Sequence, residues 1–112
     1  MMLPNFLSAQ DKAKEVAVKS VVLSVQNAIE NFAIDNGSYP QGNQISVCEL
    51  AATLQTGGYL STTPKNPFTG KAYQSGDTEG RIVYNYDSIA GQYHLIACKR
   101  DGRTEILDVT NI

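Results

Sequence analysis

Val18-Lys19-Ser20-Val21-Val22-Leu23-Ser24-Val25-Gln26-Asn27-Ala28-Ile29-Glu30-Asn31-Phe32-Ala33 decides the fold. Its apolar residues Val18, Val21, Val22, Val25, Ile29, Phe32 and Ala33 recur at i, i+3, i+4, i+7, i+11, i+14 and i+15, one face of an α-helix. β-branched side chains lower helix propensity, so this face must be held by packing against something else. The partner has to be supplied by the rest of the chain.

Upstream, the pattern predicts that the same helix starts near Asn5 or Phe6, with Pro4 suited to a first turn, and runs to about Asn36, where Gly37 stops it. A helix over 5–36 is long for a domain of this size. Asp11, Lys12, Lys14, Glu15 and Lys19 break any stripe in its first half, leaving Phe6, Ala9, Ala13 and Ala17 on a narrow line. The reading is a helix whose C-terminal half packs and whose N-terminal half protrudes.

Downstream, Asn36-Gly37-Ser38-Tyr39-Pro40 is a turn. Ser46-Val47-Cys48-Glu49 is an S-x-x-E capping box opening a short helix with Val47, Leu50, Ala51 and Leu54 on its apolar face, closed by Gly57-Gly58. Pro64, Pro67 and Gly70 make 61–70 a loop, and no strand is expected between residues 37 and 80. Alternation over 81–87 and 104–109, with the two-sided apolar run 93–99 between them, gives three antiparallel strands, 93–99 central. Asp101-Gly102 marks the hairpin turn between the last two. The expected fold is α+β in one domain over 1–112: a long helix packed on a three-stranded meander, its core built from Val18, Val21, Val22, Val25, Ile29 and Phe32.

At 112 residues the chain suits one domain. An apolar content of 42% and a charged content of 18% are those of an ordinary globular protein. A net charge of -2 gives no basic footprint, which weighs against nucleic acid and anionic membrane as partners. No apolar run approaches the roughly 18 residues of a membrane span. Met1-Met2-Leu3-Pro4 lacks the order of a signal peptide and reads as an artificial start that cuts into a longer natural protein. Cys48 and Cys98 are too far apart for a CxxC motif; two buried thiols and one disulfide both fit.

These residues have a family likeness. Leu3-Pro4-Asn5-Phe6-Leu7-Ser8-Ala9-Gln10 resembles the end of the spine helix of type IV pilins and type II secretion pseudopilins. Asp35-Asn36-Gly37-Ser38-Tyr39-Pro40 resembles that family's helix exit. Gly58-Tyr59-Leu60, followed by Pro64-Lys65-Asn66-Pro67-Phe68-Thr69-Gly70-Lys71-Ala72-Tyr73, resembles its Pro/Gly loop, above all in major pseudopilins.

The resemblance implies a structural filament subunit, anchored in the inner membrane by a preceding apolar segment, with a periplasmic or extracellular head. It would polymerise with copies of itself and related pilins on an inner-membrane assembly platform. Leu3, Pro4, Phe6, Leu7, Ala9 and Ala13 would then pack in the filament, with no cofactor and no nucleic acid involved. A minor pilin whose head binds a surface or substrate is the alternative. Two features depart from the pattern: Asn66 stands where major pseudopilins carry Asp, and the C-terminal stretch alternates like a strand, with Arg103 among its carboxylates, so no calcium site is carried over. An extracytoplasmic head favours a Cys48–Cys98 disulfide, although its placement is unusual for the family.

The sequence offers little chemistry. His94 is the only histidine, with no neighbouring nucleophile and acid to make a triad, and it reads as structural. Asp77 and Glu79 in a Gly-containing loop read as solvated carboxylates before metal ligands. Tyr84, Tyr86 and Tyr93 read as cross-strand stabilisers before an adhesive surface. The Asn36-Gly37-Ser38 triplet matches a glycosylation sequon, but Asn36 is better explained by the helix exit. No residue is assigned a catalytic, cofactor or metal role.

Overall fold

A computed structural model describes residues 3–111, with side chains from Ser8 to Asn111. Its elements run α1 (Leu3–Asn36), β1 (Ile45–Ser46), α2 (Val47–Thr56), β2 (Ile82–Asp87), β3 (Gln92–Cys98) and β4 (Glu105–Thr110). The strands form one antiparallel sheet in the order β1-β2-β3-β4. This is the α+β architecture read from the sequence, with one correction: the meander has a fourth strand. Ile45 and Ser46 pair with Tyr84 and Val83, so residues 37–80 also contribute to the sheet. Two residues are too few for any alternation to show. Their pairing is instead held by contacts from the partner strand, with Tyr86 N–H donating to Gly42 O at 2.8 Å and Gln44 N–H to the Asn85 side chain at 3.0 Å.

Helix α1 is 34 residues long, or about 51 Å, which accounts for the 55 Å long axis beside transverse extents of 28 and 23 Å. It stops because Gly37, at φ 80°, turns the chain left-handed while its N–H reaches Ala33 O at 2.8 Å. Helix α2 starts where Ser46 Oγ accepts from Glu49 N–H at 3.3 Å.

Val18, Val22, Val25, Ala28 and Ile29 of α1 are buried against Leu50 and Leu54 of α2 and Ile82, Tyr84, Tyr93, Leu95 and Ala97 of the sheet; Val21 and Phe32 pack at the edge of this core, partly buried. The sheet's alternation puts Tyr93, Leu95 and Ala97 inward and leaves His94 and Ile96 half-buried on the outer face.

Candidate functional site

Three polar arrangements join this scaffold together, and one surface is left open. The first arrangement lies at the upper end of the spine. Glu30 accepts hydroxyl hydrogen bonds from Tyr93 at 2.7 Å and Tyr39 at 3.2 Å. Tyr39 sits edge-on to both Tyr93 and Tyr86, with centroids 4.8 and 5.9 Å away. Tyr84 donates to Pro40 O at 2.6 Å. Burial pushes the Tyr84 and Tyr93 phenols well above their ordinary range, so both remain neutral donors. Gln26 ties the same stretch of helix to the last strand, its amide donating to Thr110 O at 2.7 Å. The tyrosines are thus bracing for the interior, and no adhesive surface is formed by Tyr84 or Tyr93.

The second arrangement is the Pro/Gly loop, which closes round a fully buried Asn66. Its backbone N–H donates to Lys71 O and its carbonyl accepts from Gly70 N–H, at 2.7 and 2.8 Å. Its side-chain amide donates to Glu79 O at 2.8 Å and Asp77 Oδ2 at 3.2 Å, while Oδ1 accepts from Phe68 N–H at 2.9 Å. An aspartate here would lose both donors. Tyr73 donates to Gly80 O at 2.6 Å, and a Cβ on Gly80 would lie 2.4 Å from the Phe68 ring. Asp77 and Glu79 are partly exposed to solvent and also engaged: Asp77 accepts from Asn66 and from Gln74 N–H, and Glu79 is ion-paired. No cluster of three metal-ligating side chains exists among the described residues.

The third arrangement lies lower on the spine. Arg100, in the β3–β4 turn, donates from Nε and Nη2 to the two carboxylate oxygens of Asp11 at 3.1 and 2.7 Å, and from Nη1 to Glu79 at 2.7 Å. Its guanidinium lies 5.4 Å from the centre of the Phe68 ring, and Lys14 Nζ lies 5.8 Å from it. The Arg100 hydrogen bonds hold the Asp11 carboxyl below the usual carboxylate range. The turn itself is pinned by Asp101, whose carboxylate accepts from Arg103 N–H, Thr104 N–H and the Thr104 hydroxyl; these bonds bring its pKa down to about 2. The spine is therefore attached to the head about two turns lower than its apolar stripe predicts. The stripe ends at Val18 because below it the attachment is charged, and charge has no apolar periodicity.

His94 Nδ1 lies 2.9 Å from Asp108 Oδ1 on the outer face of the sheet, both residues partly exposed. Among the described residues no serine, threonine or cysteine is hydrogen-bonded to this pair, so it braces β3 to β4 and offers no nucleophile. Cys48, in the first turn of α2, and Cys98, at the end of β3, are free thiols, so the disulfide weighed from the sequence is not made in this structure. The Asn36 side chain is occupied with Phe32 O and the Tyr59 hydroxyl. An apolar groove of about 360 Å³ lies beside it, between α1 and α2, lined by Phe32, Thr53 and Tyr59 without charged groups.

The open surface is the side of α1 turned away from the head. Ala9 and Ala13 are exposed, as are Val16 and Leu23 at 63% and 54%. At about 100° per residue these four share the face opposite Val18 and Ile29. Leu3, Pro4, Phe6 and Leu7, the other residues assigned to filament packing, lie outside the residues whose side chains are described. No described helix is long and apolar enough to cross a membrane.

Similarity to known proteins converges on one family. The chain is 27% identical to the type II secretion system core protein G of Aeromonas hydrophila over 82 residues, covering 66% of this chain and 57% of that protein. It is 29% identical to the protein of that name from Escherichia coli K12 over 121 aligned positions, covering 99% of this chain and 76% of that protein. With the Vibrio cholerae protein it shares 29% identity over 80 residues, 65% of this chain and 54% of that one. The chain thus spans little more than half the length of the Aeromonas and Vibrio relatives. No solved structure matches it with significance. The model of the family "Type II secretion system (T2SS), protein G" matches residues 5–108, from the lower spine into β4, and the chain belongs to that family.

Proposed function

We propose that this chain is the head and lower spine of a structural subunit of the type II secretion pseudopilus, assembling by helical packing of spines. The observation that carries the proposal is the division of α1 into two faces. One is buried in the head; the other shows Ala9, Ala13, Val16 and Leu23 to solvent. Small residues let helix backbones approach closely, and an exposed apolar line is the surface a neighbouring spine would cover. Leu3, Pro4, Phe6 and Leu7 would also pack against neighbouring spines, leading towards an apolar segment preceding this stretch of the natural protein. That segment would anchor the subunit in the inner membrane before assembly, with the head in the periplasm. The partners are copies of itself, related pilins and the inner-membrane assembly platform. The role is structural and non-catalytic, with no cofactor. The names of the relatives favour the core subunit over a minor adhesive one.

The test is recovery of the natural protein from its host's envelope. The expected result is a form longer by about 20 apolar residues, membrane-bound or in sheared filaments, with filaments lost when Ala13→Glu is introduced. A protein recovered only from the cytosol would overturn the proposal. So would filaments unaffected by Ala13→Glu.

A further inference from the structure

We infer that Arg100 is the pin of an ionic joint, which sets the direction of the lower spine relative to the head and can open while the upper half of α1 stays packed. The inference does not depend on the filament reading.

Apolar attachment of α1 ends at Val18, since no described α1 residue before it belongs to the buried core. Among the described residues, the ties below that point are ionic and ring contacts. Asp11 is gripped in fork fashion by two nitrogens of Arg100, and Lys14 lies over Phe68. Arg100 also reaches Glu79 with its remaining nitrogen and lies over the same Phe68 ring. One side chain therefore connects the helix, the β3–β4 turn and the Pro/Gly loop. A planar fork fixes direction as well as distance, which a lysine ammonium cannot do. The base of the fork is rigid: Asp101 accepts three hydrogen bonds within the turn, and Gly102 lies so close to Thr78 that a Cβ there would approach its Cγ2 to 2.4 Å.

The joint is also open to water. Side-chain exposures are 50% for Arg100, 31% for Asp11 and 42% for Glu79. Exposed ion pairs are screened by salt and exchange readily with solvent, whereas the buried stripe above them is not. Opening the joint uncovers one face of the Phe68 ring but no core side chain of α1, so the lower spine can swing or fray while Val18 to Ile29 stay packed.

The experiment is amide hydrogen exchange on the 112-residue chain and on Arg100→Gln, Asp11→Asn and the double variant. Each single change is expected to speed exchange of residues 9–17 about threefold while residues 22–29 keep their protection, as local opening of an exposed ion pair requires. The double variant is expected to go no further than Arg100→Gln alone, because Asp11 hydrogen-bonds to the head through Arg100. Added salt at about 1 M should move the parent chain towards the variants and leave the variants unchanged. Arg100→Lys should recover only part of the protection. Unchanged exchange at 9–17 would overturn the joint, and so would additive effects of the two substitutions. Equal loss of protection at 22–29 would make Arg100 a general stability contact and overturn it too.

Discussion

The two halves of helix α1 are held in different ways. From Val18 to Phe32 the helix is clamped by interdigitated apolar side chains, with Gln26 and Glu30 satisfying polar partners at its edge. From Ser8 to Ala17 it is held from one side through Asp11 and Lys14, and its opposite side is bare. Apolar burial is non-directional and strong in sum; a charged fork is directional and weak in water. A single continuous helix therefore combines a fixed half with a half free to meet another partner. That division is what a subunit needs if its head must fold before its spine assembles.

The contrast can be broken most forcefully from the fixed half. Ile29→Ala should cost about 3 kcal/mol, through lost burial and an unfilled cavity in the core. A urea midpoint that hardly moves would mean that the upper half is not clamped as described. Gly102→Ala comes next, at about 2 kcal/mol, because φ is 71° and the added Cβ would sit 2.9 Å from Thr78 O. It should also loosen residues 9–17, since the displaced turn carries Arg100. Tyr93→Phe removes a 2.7 Å donor from Glu30 and should cost about 1.5 kcal/mol by thermal or urea unfolding.

Acid should separate the halves without mutation. Asp11 and Asp101 have folded-state values below their unfolded ones, Asp101 at about 2. The stability they contribute is complete above the unfolded value of about 3.9 and is lost as pH falls through the lowered values. Carboxyl-carbon NMR should show the lower spine and the β3–β4 turn loosening between about pH 4 and 2, ahead of the apolar stripe. The smallest effect belongs to the bare face: Val16→Ala should change the stability of the isolated chain by no more than about 0.5 kcal/mol.

Much of this was legible from the residues. The Val/Ile/Phe spacing marked the packed helix face and alternation marked β2 and β4, because each signal repeats with the period of its element; β3 was marked by its two-sided apolar run and the start of α2 by Ser46 and Glu49. β1 was missed because two residues have no period, and its pairing depends on Gly42 and Asn85, which are distant from each other in the chain. The Arg100 fork was missed because Asp11, Glu79 and Arg100 look like ordinary surface charges until folding brings them together across 89 and 21 residues of separation. Asn66 could be seen as a departure from the family's aspartate, but its place at the centre of a closed hydrogen-bond network became visible only with Asp77, Glu79 and Phe68 around it.

The most direct test of the two-faced spine is cysteine accessibility in assembled filaments, using Ala13→Cys and Val16→Cys in a chain whose Cys48 is replaced by serine. Both introduced thiols should react rapidly with a water-soluble maleimide on the isolated head and become at least about tenfold slower in filaments, where a neighbouring spine covers them. Equal reactivity in the two states would contradict the account, because the bare face would then be left uncovered by the assembly it is held to serve.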